Sequence, residues 1–406
     1  MRGTTVKYTL FSVDDHIIEH PRVWTDRLPQ QYQSEGPHVV EEEGREYWQY
    51  EDKRVQTLGL GAVAGKPFQE VSPDPVRFED MLPSYYDPKE RAKAFDADGI
   101  VASVAFPTLA RFSGAEFVTF KDKVLAELCV KAYNDFVLDE WCAAAPGRFV
   151  PMVIGQLWDP PAMAQEIYRC AERGARALAF PESPATMVDQ AVEHRSAVYD
   201  QGGNKGPAKA PGRLNLPSFH GDQWDPVFNA VTETDMVICI HCFTSGVTPI
   251  VSAETPLPVL QSVAYHNSNL ALMDIIMSPV PVNFPTIKFA LSESGMGWVP
   301  AALEKADKVW TRNRYWAGLR DVPPSEIFRQ NFWVCAIDEP KGMSMRHLVG
   351  VDKILWECDF PHSDSPWPHS QKYVDEMFHD VVGDDVAAIT HGNASALFRW
   401  PLPSDS

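Results

Sequence analysis

The 406-residue chain predicts an α/β fold, a distorted (β/α)8 TIM barrel in a single domain (1–406), with an insertion after strand 1 and a long loop after strand 4. Three observations predict it. Eight apolar runs rich in Val, Ile and Phe read as buried parallel strands, near 8–14, 100–106, 149–155, 175–181, 235–241, 286–293, 331–336 and 354–359. Stretches of helical character separate most of them, as a β/α alternation requires. Four of the runs end on side chains able to bind a metal, and in such a barrel the carboxyl ends of all strands meet on one face.

The first run ends in Val13-Asp14-Asp15-His16. Asp14 and His16 are two apart in an extended segment, so alternation puts both on one face and turns Asp15 away. Alone, either would read as a turn cap or a satisfied core histidine; beside the other strand ends they read as metal ligands. Glu19 follows as the chain leaves the strand, a candidate ligand for a second ion, with a surface pair to Arg22 as the alternative. Segment 37–84 is too long for a simple barrel loop and is expected to form a lid or insertion over the ligand face. Its aromatics Tyr47, Trp48, Tyr50 and Phe68, with Tyr85 and Tyr86 just after, line that lid or make a small core of its own.

Helices are expected at 87–98, 121–144, 161–174, 224–234, 258–277, 300–312 and 371–381, with 384–398 closing the chain. The second excursion, 182–223, is rich in Gly, Pro, Lys and Asn and ends beside His220, which is placed for substrate contact. The fifth run ends on His241, whose neutral imidazole suits zinc, iron or manganese. Cys239 and Cys242 bracket it with no second pair elsewhere, against a zinc knuckle or redox pair. The sixth run ends on Glu293, which adds negative charge near His241, either drawing in a second cation or serving as general acid or base; pairing with a lysine or arginine is the structural alternative. The eighth ends on Asp359, able to ligate, to accept a proton from bound water, or both, and His362 follows in an abrupt turn. His266 reads as structural, as do His194, His347, His369, His379 and His391.

Lys and Arg number 36 against 55 Asp and Glu, and the net charge of -19 disfavours nucleic acid or an anionic membrane as partner. No stretch approaches the roughly 18 apolar residues of a membrane span, and the first residues lack the pattern of an export signal. Seven cysteines, three of them inside strand-like runs, fit a reducing, cytoplasmic setting.

Taken in order, Ser12-Val13-Asp14-Asp15-His16-Ile17-Ile18-Glu19, Trp224-Asp225-Pro226-Val227-Phe228, Ile240-His241, Phe284-Pro285-Thr286-Ile287-Lys288 with Ser292-Glu293-Ser294-Gly295, Trp356-Glu357-Cys358-Asp359-Phe360-Pro361-His362 and Gly392-Asn393-Ala394 resemble the amidohydrolase superfamily. The likeness is to the branch that includes aminocarboxymuconate semialdehyde decarboxylase and the resorcylate-type decarboxylases, and it spans nearly the whole chain. The resemblance implies a divalent ion held by Asp14, His16, His241 and Asp359. Two positions depart from it: many relatives have His or Glu where Asp14 stands, and the decarboxylases commonly place a histidine where Glu293 stands.

That second departure puts hydrolysis first. The expected enzyme is a metal-dependent hydrolase of the thioesterase, esterase or amidohydrolase type, with one or two divalent ions (Zn, Fe or Mn) activating water against an acyl carbonyl. Its substrate would be a small ester, thioester, lactone or amide on an apolar or aromatic scaffold. Asp359 would relay the water proton, Glu293 with Glu19 would hold a second ion, and His220 and His362 would orient substrate. The alternative is a lyase, a non-oxidative decarboxylase of an aromatic or muconate-type acid, with Asp359 protonating the ring carbon. A non-catalytic binding barrel is disfavoured, since converging buried charges are costly unless an ion or substrate offsets them. A homodimer is expected from the family and the aromatic-rich loops.

Overall fold

The computed structural model describes residues 7–56, 59–189, 213–246, 254–381 and 383–402. Its strands are β1 (Leu10–Ile17), β2 (His38–Glu42), β3 (Arg45–Tyr50), β4 (Lys53–Val55), β5 (Ile100–Pro107), β6 (Phe149–Val150), β7 (Met152–Val153), β8 (Ala177–Pro181), β9 (Val237–His241), β10 (Lys288–Ser292), β11 (Phe332–Ala336) and β12 (Ile354–Trp356). Parallel pairing joins β1, β5 and β6 on one side and β7 through β12 on the other. Two seams close the ring. β6 and β7 are one stave interrupted at Pro151, which has no amide proton to give but whose carbonyl accepts from the Arg176 and Ala177 amides at 3.0 and 3.3 Å. Just past β12, the Asp359 amide donates to the Asp14 carbonyl and the His16 amide to the Phe360 carbonyl, both at 2.7 Å. The Cys358 amide adds a bond to the Ser12 hydroxyl at 2.9 Å. The eight staves make a distorted TIM barrel.

The staves are buried because helices cover them, which is why they read as continuous apolar runs. Three of those helices begin where an aspartate satisfies free amides: Asp87 ahead of Pro88–Asp96, Asp122 ahead of Lys123–Phe136 and Asp159 ahead of Pro160–Glu172. The helix expected over 258–277 is instead two, Leu257–Ser262 and Tyr265–Met277, parted where the amides of Val263 and Ala264 turn to carbonyls three residues back. A helix not foreseen, Pro324–Asn331, precedes β11 and starts on a proline, whose fixed φ and missing amide proton suit the first helical position.

Within 37–84, β2, β3 and β4 form an antiparallel meander. Its aromatics divide rather than forming one cluster. Trp48 packs edge-on against Trp24 at 5.4 Å and Tyr50 stacks on Phe120 at 4.8 Å, fastening the meander to the barrel, while Phe68 is exposed. Further along, the Val63 and Ala64 amides both donate to the Pro361 carbonyl at 3.0 Å, and the Tyr85 hydroxyl holds the Ala64 carbonyl at 2.8 Å. This fixes Gly61 over His362, where a Cβ would sit 3.7 Å from the imidazole. Of the excursion 182–223 only 182–189 and 213–223 are described, and His194 lies outside the described residues. No helix among the described residues is long and apolar enough to cross a membrane. All seven cysteines are free.

Candidate metal centre

β1, β9 and the turn after β12 bring Asp14, His16, His241 and Asp359 together, none more than 1% exposed. His16 Nε2 stands 3.4 Å from Asp14 Oδ1 and 3.2 Å from Asp359 Oδ1, and His241 Nε2 stands 3.6 Å from Asp14 Oδ2. His362 Nδ1 lies 2.9 Å from Asp359 Oδ1, its ring stacked on His16 with centroids 3.6 Å apart. Glu293 Oε2 is 3.8 Å from His241 Nε2 and accepts a hydrogen bond from the Cys242 thiol at 2.8 Å. Phe112 walls the group, its ring 4.1 Å from that of His241.

Both carboxylate oxygens of Asp14 and of Asp359, with Nε2 of His16 and of His241, are buried and meet no partner in hydrogen-bonding geometry. Leaving so many buried polar atoms bare is costly. A divalent cation removes that cost. Ligands about 2.0–2.2 Å from one ion lie roughly 3.0–3.6 Å from each other, which is the spacing found, and the imidazole and carboxylate set suits zinc, iron or manganese. His241 is oriented for it: its Nδ1 meets the Cys242 carbonyl at 2.7 Å, leaving Nε2 to face the group.

The electrostatics show the same unmet demand. Burial first, then the neighbouring carboxylates, push Asp14 and Asp359 well above the usual carboxylate range. Burial pulls the histidines the other way, His16 far down and His362 to about 4. Burial works against the Glu293 carboxylate, but the imidazoles of His241 and His362 and the hydrogen bond from the Cys242 thiol together hold that group below its ordinary value. Backbone strain gathers here too: Asp359, Glu293 and Phe112 all have positive φ, 53°, 47° and 47°. Such positions cost roughly 1–3 kcal/mol each and persist where the surroundings over-determine them.

Two expected participants stand elsewhere. Glu19 does not reach the group; its carboxylate accepts from the amides of Thr108, Leu109 and Ala110 at 3.1, 2.8 and 3.4 Å, tying the segment after β1 to the turn after β5. His220 is half exposed in an ion pair with Asp274 at 2.7 Å, away from the group. Asp15 turns away from the group, taking the Phe360 amide at 3.0 Å and the Ser103 hydroxyl at 2.5 Å. Other residues escaped notice in the sequence. Arg91, fully buried, donates to the carbonyls of Ser84, Tyr85 and His16 and so fixes the end of β1. Glu357, also buried, accepts the Glu293 amide at 3.2 Å. The apolar run ahead of Glu357 was the available signal.

The Amidohydrolase family model matches residues 38–400, so β1, with Asp14 and His16, precedes the matched span. No curated protein matches the sequence. Among solved structures, an amidohydrolase from Mycobacterium avium subsp. paratuberculosis superposes with a TM-score of 0.71 at 19% identity, covering 97% of this chain and 100% of that one. 5-Carboxyvanillate decarboxylase from Sphingomonas paucimobilis gives 0.61 at 17%, covering 97% and 99%. A second 5-carboxyvanillate decarboxylase, from Novosphingobium aromaticivorans and carrying manganese and 3-methoxy-4-hydroxy-5-nitrobenzoic acid, gives 0.62 at 16%, covering 97% of each chain. At these identities the structures share a fold with this chain. The family match extends over most of its length, and the chain belongs to the amidohydrolase family.

Proposed function

We propose that the protein is a divalent-metal-dependent lyase that removes carbon dioxide, without oxidation, from a small aromatic or muconate-type acid. The observation that carries this reading is the burial of the candidate ligands against aromatic rings. Asp14, His16, His241 and Asp359 are buried, with Phe106 and Phe112 against the His241 ring at 5.2 and 4.1 Å. Hydrolysis needs a water at the centre, whereas loss of carbon dioxide from a ring needs a proton delivered to carbon, which a buried carboxyl or imidazole can give. The whole-length fold shared with decarboxylases, one of them carrying manganese, supports the same reading.

Asp14, His16, His241 and Asp359 would hold the cation, which when bound supplies positive charge to orient an anionic substrate and offset negative charge in the transition state. Asp359 and His362, 2.9 Å apart, would deliver the proton to the ring carbon. The Phe112 ring would pack against the substrate ring, and Gly61, fixed over His362, would exclude solvent. Hydrolysis remains the second reading, favoured by Glu293, whose side chain is 22% exposed and so faces the open side of the centre.

The test is incubation of manganese- or zinc-loaded protein with hydroxybenzoates and carboxyvanillate in deuterated water. Carbon dioxide release with deuterium at the vacated carbon is expected. Acid release from aryl esters or thioesters, with no carbon dioxide from any of the acids, would reverse the order of the two readings.

A further inference from the structure

We infer that the helix Val299–Ala317 attaches the protein to an anionic lipid surface through Tyr315, Trp316 and the basic residues around them. The helix follows β10 and runs back outside the barrel to Gly318, so its far end lies away from the metal centre. Tyr315 and Trp316 stand there 81% and 79% exposed. Large apolar side chains exposed singly are ordinary, but these are contiguous with more apolar surface, and such patches mark interaction sites. Positions 302, 306, 309, 313 and 316 share one side of the helix. Trp316 therefore continues an apolar groove of about 400 Å³ lined by Met273, Met277, Ala306 and Val309, with exposed Leu270 one turn before Met273. The polar atom of each ring is bonded within its own helix: the Trp316 indole donates to Asn313 Oδ1 at 2.9 Å, and the Tyr315 hydroxyl accepts from Arg314 at 2.6 Å. Both rings are thus ordered before anything docks, which lowers the entropy lost on docking.

Charge selects the occupant. Residues 305–320 hold five basic side chains, Lys305, Lys308, Arg312, Arg314 and Arg320, against one acidic, Asp307. Glu304 pairs with Lys308 and Asp321 with Arg314, while Lys305, Arg312 and Arg320 form no ion pair among the described residues. The whole chain's net charge of -19 opposes an anionic surface, but charges more than about 8–10 Å from that surface are screened at physiological ionic strength, so the patch sets the sign at contact. Cations flanking Trp and Tyr match a phospholipid headgroup layer, whose phosphates take the basic side chains while the rings lie at headgroup level. A second copy docked face to face would instead set these cations against their own images. Attachment by this end leaves the mouth of the barrel open to water, and nothing in it depends on which bond the enzyme breaks.

The test is co-sedimentation of the full-length protein with vesicles of phosphatidylcholine alone and of phosphatidylcholine with an equal part of phosphatidylglycerol, at low and at raised salt. Binding to the anionic vesicles, weakened by salt, and little binding to phosphatidylcholine alone are expected. Trp316→Ala should weaken binding about tenfold or more and Arg312→Ala about fivefold, with circular dichroism unchanged in both. No binding to the anionic vesicles, or binding that both variants leave intact, would overturn the attachment. So would a dimer, found by analytical ultracentrifugation, that Trp316→Ala returns to monomer, since a second copy would then cover this face. Should the alanine variant fail to fold, brominated lipid decides on native protein beside Trp316→Phe: quenching of tryptophan fluorescence that drops in the phenylalanine variant supports insertion of Trp316, and equal quenching rejects it.

Discussion

Asp14 is where charge and burial conflict most. Without a cation it is a buried carboxyl among other carboxyls, with neither oxygen bonded. Asp14→Asn therefore has opposite effects in two states: the metal-free variant should melt no lower than metal-free native protein, while added zinc should raise the native melting temperature by several degrees and the variant's little. Paired thermal melts in chelator and in zinc check this. Glu19 behaves differently, because its partners are amides. Glu19→Gln should leave metal content unchanged and cost about 1–3 kcal/mol, since an amide cannot accept at both ends. Burial raises its pKa from 4.5 to about 7, so the unfolded chain loses this proton first. The stability Glu19 contributes is thus full below pH 4.5 and declines as pH rises to about 7, so the native protein's advantage over the variant should shrink across that window in urea melts. His220→Ala, which breaks a half-exposed pair, should change stability by under about 1 kcal/mol and leave turnover intact.

At the scale of elements, the seam between β1 and the end of β12 sets the site. The Ser12 hydroxyl donates to the Asp14 carbonyl at 3.1 Å and accepts the Cys358 amide at 2.9 Å, so one side chain links both ligand-bearing segments. Ser12→Ala should cost about 1–3 kcal/mol and weaken metal retention on dialysis, whereas loss of stability with metal retention unchanged would make the seam merely structural. These candidate ligands were legible because each sits in or just past the end of an uninterrupted apolar run: Asp14 and His16 in the second half of β1, His241 as the last residue of β9, and Glu293 and Asp359 one and three residues after β10 and β12. Glu19 and His220 stand apart from them. Their positions depend on partners distant in sequence: the amides after β5 for one, Asp274 for the other. Phe112 was hidden for a related reason, since its left-handed backbone at φ 47° leaves no trace in periodicity.

For the whole molecule, alternation of apolar runs and helices was enough to read the barrel, because parallel staves must be covered on both sides. The meander β2–β4 was not legible, since its strands are half-exposed and polar and carry no apolar run. Nor does the sequence separate hydrolysis from decarboxylation: both use the same buried ligands, and the difference lies in how much water reaches them. The functional reading depends on those residues holding a cation. The direct measurement is metal content of the purified protein beside its His241→Ala and Asp359→Asn variants, each checked for folding by circular dichroism. At least one divalent ion per chain in the native protein, and its loss in both variants with the fold intact, is the predicted result. Metal retained in both variants, or absent from native protein given zinc, manganese and iron, would contradict the account.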